Sequence, residues 1–211
     1  MKKILILSII LIFILVGCGD KVTSNNEDEL IGNIKTLEKK NYLFDTFQIT
    51  YDNYIKSIND IISKDYNYKN DDTAFFMIDG KEIKGKDLKG KSIEDLKEYK
   101  EHFKGLENGM KLLYDSSKVK ISKVYYDKDL NVKYIFSNII KDYGDNEEEI
   151  INKMYTFREE DENWKITNIE KSSIYIDENT EESKEELLKK LRYNNYDGEE
   201  MEYVETLKNN K

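Results

Sequence analysis

The chain has 211 residues, 43 acidic against 34 basic side chains, and a formal net charge of −9. That balance argues against nucleic acid as a partner, because gripping phosphate takes a basic face. One cysteine, one histidine and no proline exclude a disulfide framework and the usual histidine–cysteine metal centre, while the length suffices for one domain and a tail.

Lys2 and Lys3 precede an apolar run from Ile4 to Val16, interrupted only by Ser8. The run is shorter than the roughly 20 residues of a spanning helix, and its charged start and apolar centre fit a signal peptide over 1–17. It closes on Leu15-Val16-Gly17-Cys18, which holds the only cysteine. This stretch resembles the lipobox of bacterial lipoproteins. The resemblance implies cleavage between Gly17 and Cys18 and a diacylglyceryl group on the Cys18 sulfur. Two acyl chains anchor stably where a single chain is marginal. It further implies that the membrane is a partner, through lipid on Cys18, at the extracytoplasmic face of a Gram-positive cell. An uncleaved N-terminal anchor with an incidental cysteine is the competing reading.

Residues 18–28 are polar after the cysteine and read as a flexible tether. A domain is expected over 29–176. Leu30, Ile31, Ile34 and Leu37 recur at helical spacing, as do Tyr51, Tyr54, Ile55, Ile58, Ile61 and Ile62. Asn41-Tyr42-Leu43-Phe44 breaks the phase, which predicts two helices or one kinked near Asn41. Thr73 to Ile78 reads as a strand, Asp79-Gly80 as a hairpin turn and Lys81 to Lys84 as the return. Ser92, with Asp95 following, caps a helix whose stripe of Leu96, Tyr99, Phe103, Leu106, Met110 and Leu113 runs to about Asp115.

From Lys118 the period becomes two. Strands are expected at Val119–Tyr126, Val132–Ile140, Ile150–Arg158 and Trp164–Ile169, the last extending towards Ile176. The alternation slips between Ile121 and Val124, which predicts a bulge. Asp127–Asn131 and Glu159–Asn163 read as turns, and Asp142–Glu149 as a loop. In the charged segment 177–211, Leu187, Leu188 and Leu191 predict a short helix. Beyond Asn194 no core-forming pattern stands out, so a helical or disordered tail is expected.

The fold class is therefore α+β: N-terminal helices, a long helix packed on a curved antiparallel sheet, and a C-terminal helical tail. This order of elements, closing on Glu162-Asn163-Trp164-Lys165-Ile166, resembles the nuclear transport factor two-like (cystatin-like) fold. The resemblance implies a cone-like sheet around the long helix. It covers enzymes, carriers and interaction modules alike.

His102 is the only histidine. A pocket enzyme of isomerase-like type would need it with a partner carboxylate; a boundary histidine without chemistry is the plainer reading. Asp127-Lys128-Asp129-Leu130-Asn131 imitates the start of a calcium loop, but Val132 stands where glycine is required, so it reads as a turn. The acidic runs Glu147–Glu149 and Glu159–Glu162 read as solvated turns or as sites for cations or a basic partner. Tyr134, Phe136, Tyr155, Phe157 and Trp164 form core if they face the helix, and a possible pocket if they line a cone. No catalytic residue, metal site or cofactor is assigned. The expected function is a lipid-anchored envelope binding or interaction module, with an envelope protein or small ligand as partner. The alternatives are the pocket enzyme and a solute-binding accessory protein.

Overall fold

The structure is a computed structural model that describes residues 21–66, 71–78, 80–102, 118–144 and 146–208. The chain is α+β, built on a mostly antiparallel six-stranded sheet with few helices. Helix α1 spans Lys21–Asp45 and helix α2 spans Tyr51–Ile58. The hairpin β1 (Ala74–Ile78) and β2 (Lys81–Lys84) follows, turning at Gly80 with φ 75°. Short helices α3 (Gly85–Leu88) and α4 (Lys97–His102) come next. The large sheet then forms from β3 (Lys118–Ser122), β4 (Tyr125–Asp127), β5 (Val132–Gly144), β6 (Glu147–Glu160) and β7 (Asn163–Ile176). Helix α5 (Lys184–Lys190), the small pair β8 (Asn195–Tyr196) and β9 (Glu199–Glu200), and β10 (Tyr203–Lys208) complete the chain. The sheet order is β10-β3-β5-β6-β7, with β4 also paired to β5.

The helix against the sheet is α1. Its Leu30, Ile34, Leu37 and Phe44 are buried in one core with Ile121, Ile135, Ile139, Ile151, Tyr155, Phe157 and Ile166. Fully burying each such side chain stabilises by about 1.5–3 kcal/mol. The sequence expectation gave this place to the helix over 92–115. Only its start is described: Leu96 is buried, Ser92 Oγ accepts from the Asp95 amide at 3.2 Å, and helix α4 follows. Phe103, Leu106, Met110 and Leu113 lie outside the described residues.

The chain does not break at Asn41. Asn41 sits on the inner side of α1, where its Oδ1 accepts from the Tyr54 hydroxyl at 2.7 Å. A polar residue on the apolar stripe is thereby satisfied, and the helix runs on to Asp45. The break falls at Phe47, which has φ 51°, before Thr50 caps α2 by accepting from the Asn53 amide. The helix also starts earlier than expected, at Lys21, so the stretch read as tether is helical from there.

Aromatic rings join this helix pair to the small hairpin. Phe44 stacks on Tyr54 at 4.5 Å and meets Phe75 edge-on at 5.1 Å, and Phe47 packs on Phe76 at 4.9 Å. Gly85 sits against this cluster, and a Cβ there would lie 2.5 Å from the Tyr51 hydroxyl oxygen. That hydroxyl donates to Asp71 Oδ1 at 2.9 Å.

The tail needs correction. After α5 it forms strands rather than a helix, and β10 pairs antiparallel with β3, opposing Leu207 to Val119 and Glu205 to Ile121. Leu191 and Met201 are buried. Asn152, buried on the face away from α1, donates to the Arg192 carbonyl at 3.0 Å. The tail thus covers the sheet's second face and extends its edge. The expected loop 142–149 is also shorter, because β5 runs to Gly144 and β6 begins at Glu147. Gly144 and Asn146, with φ 79° and 66°, allow that tight reversal.

Gly85→Ala is expected to cost about 1–3 kcal/mol, because the new methyl must displace the buried Tyr51 ring. Urea unfolding of the variant checks this, and an unchanged midpoint would contradict the packing described.

Candidate functional site

Side chains two apart on a strand share a face. Glu147, Glu149, Ile151, Lys153, Tyr155 and Phe157 on β6 therefore point to the side covered by α1. Lys153 and Tyr155 meet Glu38 of that helix. Lys153 Nζ lies 2.9 and 2.8 Å from the two Glu38 oxygens, and the Tyr155 hydroxyl donates to Glu38 Oε1 at 2.7 Å. Ser137 stands 3.1 Å from the same hydroxyl. The Lys153 and Glu38 side chains are only 18% and 12% exposed.

Beyond this pair α1 ends at Asp45, but the sheet continues. The extension carries Lys141 and Tyr143 on β5, Glu147 and Glu149 on β6, and Tyr175 on β7, which opposes Glu149. Lys141 pairs with Glu149 at 3.0 Å. The Tyr143 hydroxyl donates to Glu149 at 3.1 Å, and the Tyr175 hydroxyl to Glu147 at 3.0 Å. The two rings meet at 5.8 Å with 67° between planes and are 38% and 49% exposed. This is an exposed, tyrosine-faced patch beyond the Glu38–Lys153 pair, where Asp45, Glu147 and Glu149 outnumber Lys141.

The electrostatics follow from that imbalance. Burial and the neighbouring Glu149 carboxylate push the Tyr143 hydroxyl up to about 12. The hydrogen bond to Glu147 raises Tyr175. Both rings therefore stay neutral donors near neutral pH. Crowding by the surrounding protein pushes Asp45 up to about 6; Lys153 and Lys141 oppose the rise, and Glu38 adds to it. Asp45 is nonetheless exposed as a residue, so water offsets part of that crowding.

The aromatic set proposed from sequence is divided between the two faces. Tyr155 and Phe157, both 0% exposed, belong to the core under α1. Phe136 is buried on the opposite face, where Tyr125 meets it edge-on at 5.7 Å and Tyr196 lies 6.0 Å away. Tyr134 joins that second group, 5.9 Å from Tyr196. Trp164 is half-buried on the helix side, at the end of the sheet away from the tyrosine pair. Lys133 Nζ lies 4.2 Å over its ring. Alternation fixed which residues share a strand face but not what covers each face, hence the division.

Each acidic run is engaged by neighbours. Glu148 pairs with Lys184, Asp161 with Lys64, and Ser63 donates to Glu160. Asp127 Oδ1 accepts from the amides of Asp129 and Leu130, both at 3.0 Å, so the calcium-like run is folded as a hairpin turn. Among the described residues no group of three or more His, Cys, Asp or Glu side chains is placed to hold a metal ion. Gly17 and Cys18 lie outside the described residues, as does the His102 side chain. No helix among the described residues is long and apolar enough to cross a membrane.

Sequence reasoning passed over Glu38, Lys153, Tyr143 and Tyr175. One signal was available: Lys153 falls at an inward position between Ile151 and Tyr155, where alternation calls for an apolar residue. Comparisons with protein-family models, with curated proteins and with solved structures return no match.

Glu38→Gln should cost about 3 kcal/mol, because it strands the Lys153 ammonium in a largely buried position. Replacing both by methionine should restore most of that loss, and denaturant midpoints of the single and double variants measure it.

Asp45 supplies a pH test with a defined sign. Its native pKa is raised from 3.8 to about 6, so the folded state binds a proton that the unfolded state has released across that window. This group therefore adds stability as pH falls from 6 towards 4 and weakens the fold above 6. Asp45→Asn should be more stable than the parent near pH 7, with the difference vanishing near pH 4. Equal pH profiles would contradict the crowding around Asp45.

Proposed function

We propose that this chain is a lipid-anchored binding module at the outer face of the cell membrane, and that its tyrosine-faced, acidic patch receives a cationic partner. The observation that carries the reading is the direction of α1. Its 25 residues span about 37 Å, leading from the end next to Cys18 to the far end of the sheet, where Tyr143 and Tyr175 are bare. A domain held at one end by acyl chains presents its opposite end outward.

The chemistry of the patch supports a cation. Neutral tyrosine rings offer π faces to ammonium or guanidinium groups, and the carboxylates beside them add attraction and steer encounter. A basic segment of an envelope protein combines both features. The cone-like arrangement of the nuclear transport factor two-like resemblance enters here only as a proposal. What supports it is the bulge between Thr156 and Phe157 in the β6–β7 pairing, which bends long strands over α1. An isomerase-like enzyme would rest on His102, whose side chain lies outside the described residues.

Binding of a fluorescent oligolysine peptide to the detergent-solubilised protein tests the reading. Tyr143→Ala with Tyr175→Ala should weaken it about tenfold, and Glu147→Gln with Glu149→Gln at least as much. The control is Glu199→Gln with Glu200→Gln, in the exposed β9 strand. If the control loses as much affinity as the patch variants, attraction is a matter of net charge and the patch is not a site.

A further inference from the structure

We infer that the β4–β5 hairpin rests on a bilayer surface of zwitterionic headgroups, giving the domain a second membrane contact beside its lipid; this inference rests on the anchor reading above. The hairpin carries two exposed apolar side chains, Leu130 in its turn at 58% and Tyr126 on β4 at 46%. Tyr126 is braced, since its hydroxyl donates to Asn131 at 2.9 Å and its ring meets Trp164 edge-on at 6.3 Å. Opposite Tyr126 on β5, Lys133 covers the Trp164 ring and donates to Asn26 Oδ1 of α1 at 2.7 Å.

That last bond fixes where the hairpin lies relative to the anchor. From Asn26 back to Lys21 the helix rises about 1.5 Å per residue, or about 8 Å. From Lys21 to Cys18 the chain spans at most about 11 Å. Asn26 is therefore within about 20 Å of the acylated sulfur, and the hairpin tip extends from the neighbouring strand end. Tyrosine and tryptophan are suited to the headgroup layer, having an apolar body and a polar tip.

The charges choose the lipid. Glu27, Asp127, Asp129 and the Glu159–Glu162 turn lie at this end, against Lys64, Lys128, Lys133, Arg158 and Lys165. An anionic surface would be repelled, so the contact is apolar and made to neutral or zwitterionic headgroups. Tethering by the acyl chains supplies the high local concentration that lets so small a surface engage.

The lone tryptophan, Trp164, is the probe. The full lipidated protein is reconstituted into phosphatidylcholine vesicles carrying a nitroxide on the headgroup, and flotation is measured alongside Trp164 emission. The expected result is at least twofold quenching relative to nitroxide-free vesicles. Leu130→Asp should abolish most of the quenching without releasing the protein, and Leu130→Trp should quench more strongly than the parent. A protein that floats but shows unquenched Trp164, or a Leu130→Asp variant quenched like the parent, overturns the hairpin contact alone. A protein that does not float overturns the anchor reading and this inference with it.

Discussion

The contact on which the rest of the structure depends is that between α1 and the sheet. Leu30, Ile34 and Leu37 share one buried core with Ile121, Ile135, Ile139, Ile151 and Tyr155 of β3, β5 and β6. A three-strand meander of β5, β6 and β7 has two faces, and one must be covered before it is stable in water. Near its C-terminal half, α1 adds the Glu38 carboxylate, which Lys153 and Tyr155 both engage. A buried pair of this kind is weak as a net stabiliser, but it is costly to misalign. It therefore sets where along the sheet the helix sits. Once α1 is placed, Phe44 and Phe47 hold the β1–β2 hairpin, and Asn26 holds the strand end at Lys133.

The functional consequences come from the two ends of that helix. Where it begins, the hairpin turn with Tyr126 and Leu130 lies beside it. Where it stops, the strands outrun it and leave Tyr143 and Tyr175 uncovered. One end is apolar at its tip within an acidic surround; the other is aromatic and acidic. A rigid helix between them keeps the two surfaces apart. In the proposed reading, a lipid on Cys18 would assign the first end to the membrane and the second to whatever approaches from outside.

The regular parts were legible because local physics decides them. Period-two runs of Val, Ile, Tyr and Phe give β5, β6 and β7 whatever their neighbours do, and Gly80 gives the hairpin turn. The slip between Ile121 and Val124, read as a bulge within one strand over Val119–Tyr126, is instead a break: β3 ends at Ser122 and β4 begins at Tyr125. The misread parts depend on partners distant in sequence. Asn41 looks like a break until Tyr54 satisfies it. The run Tyr203–Lys208 has too short and too charged a pattern to register, with its phase shifted between Tyr203 and Glu205, and it becomes a strand because β3 offers an open edge. The aromatic set was readable as residues but not as faces, since it takes the β5–β6 register, which opposes Ile135 to Tyr155 and Phe136 to Met154, to put Tyr134 and Phe136 on the face opposite Tyr155 and Phe157. The site was least legible, because Glu38 and Lys153 belong to different elements and Tyr143 and Tyr175 matter only where α1 stops short.

The intact mass of the protein extracted from the producing cell's membranes tests the central claim most directly. The expected species is a chain that begins at Cys18, lacks residues 1–17 and carries a diacylglyceryl group on the cysteine sulfur. A chain that retains Met1, or one with a free thiol at Cys18, would contradict it. The two ends of α1 would then lose their assignment to membrane and exterior.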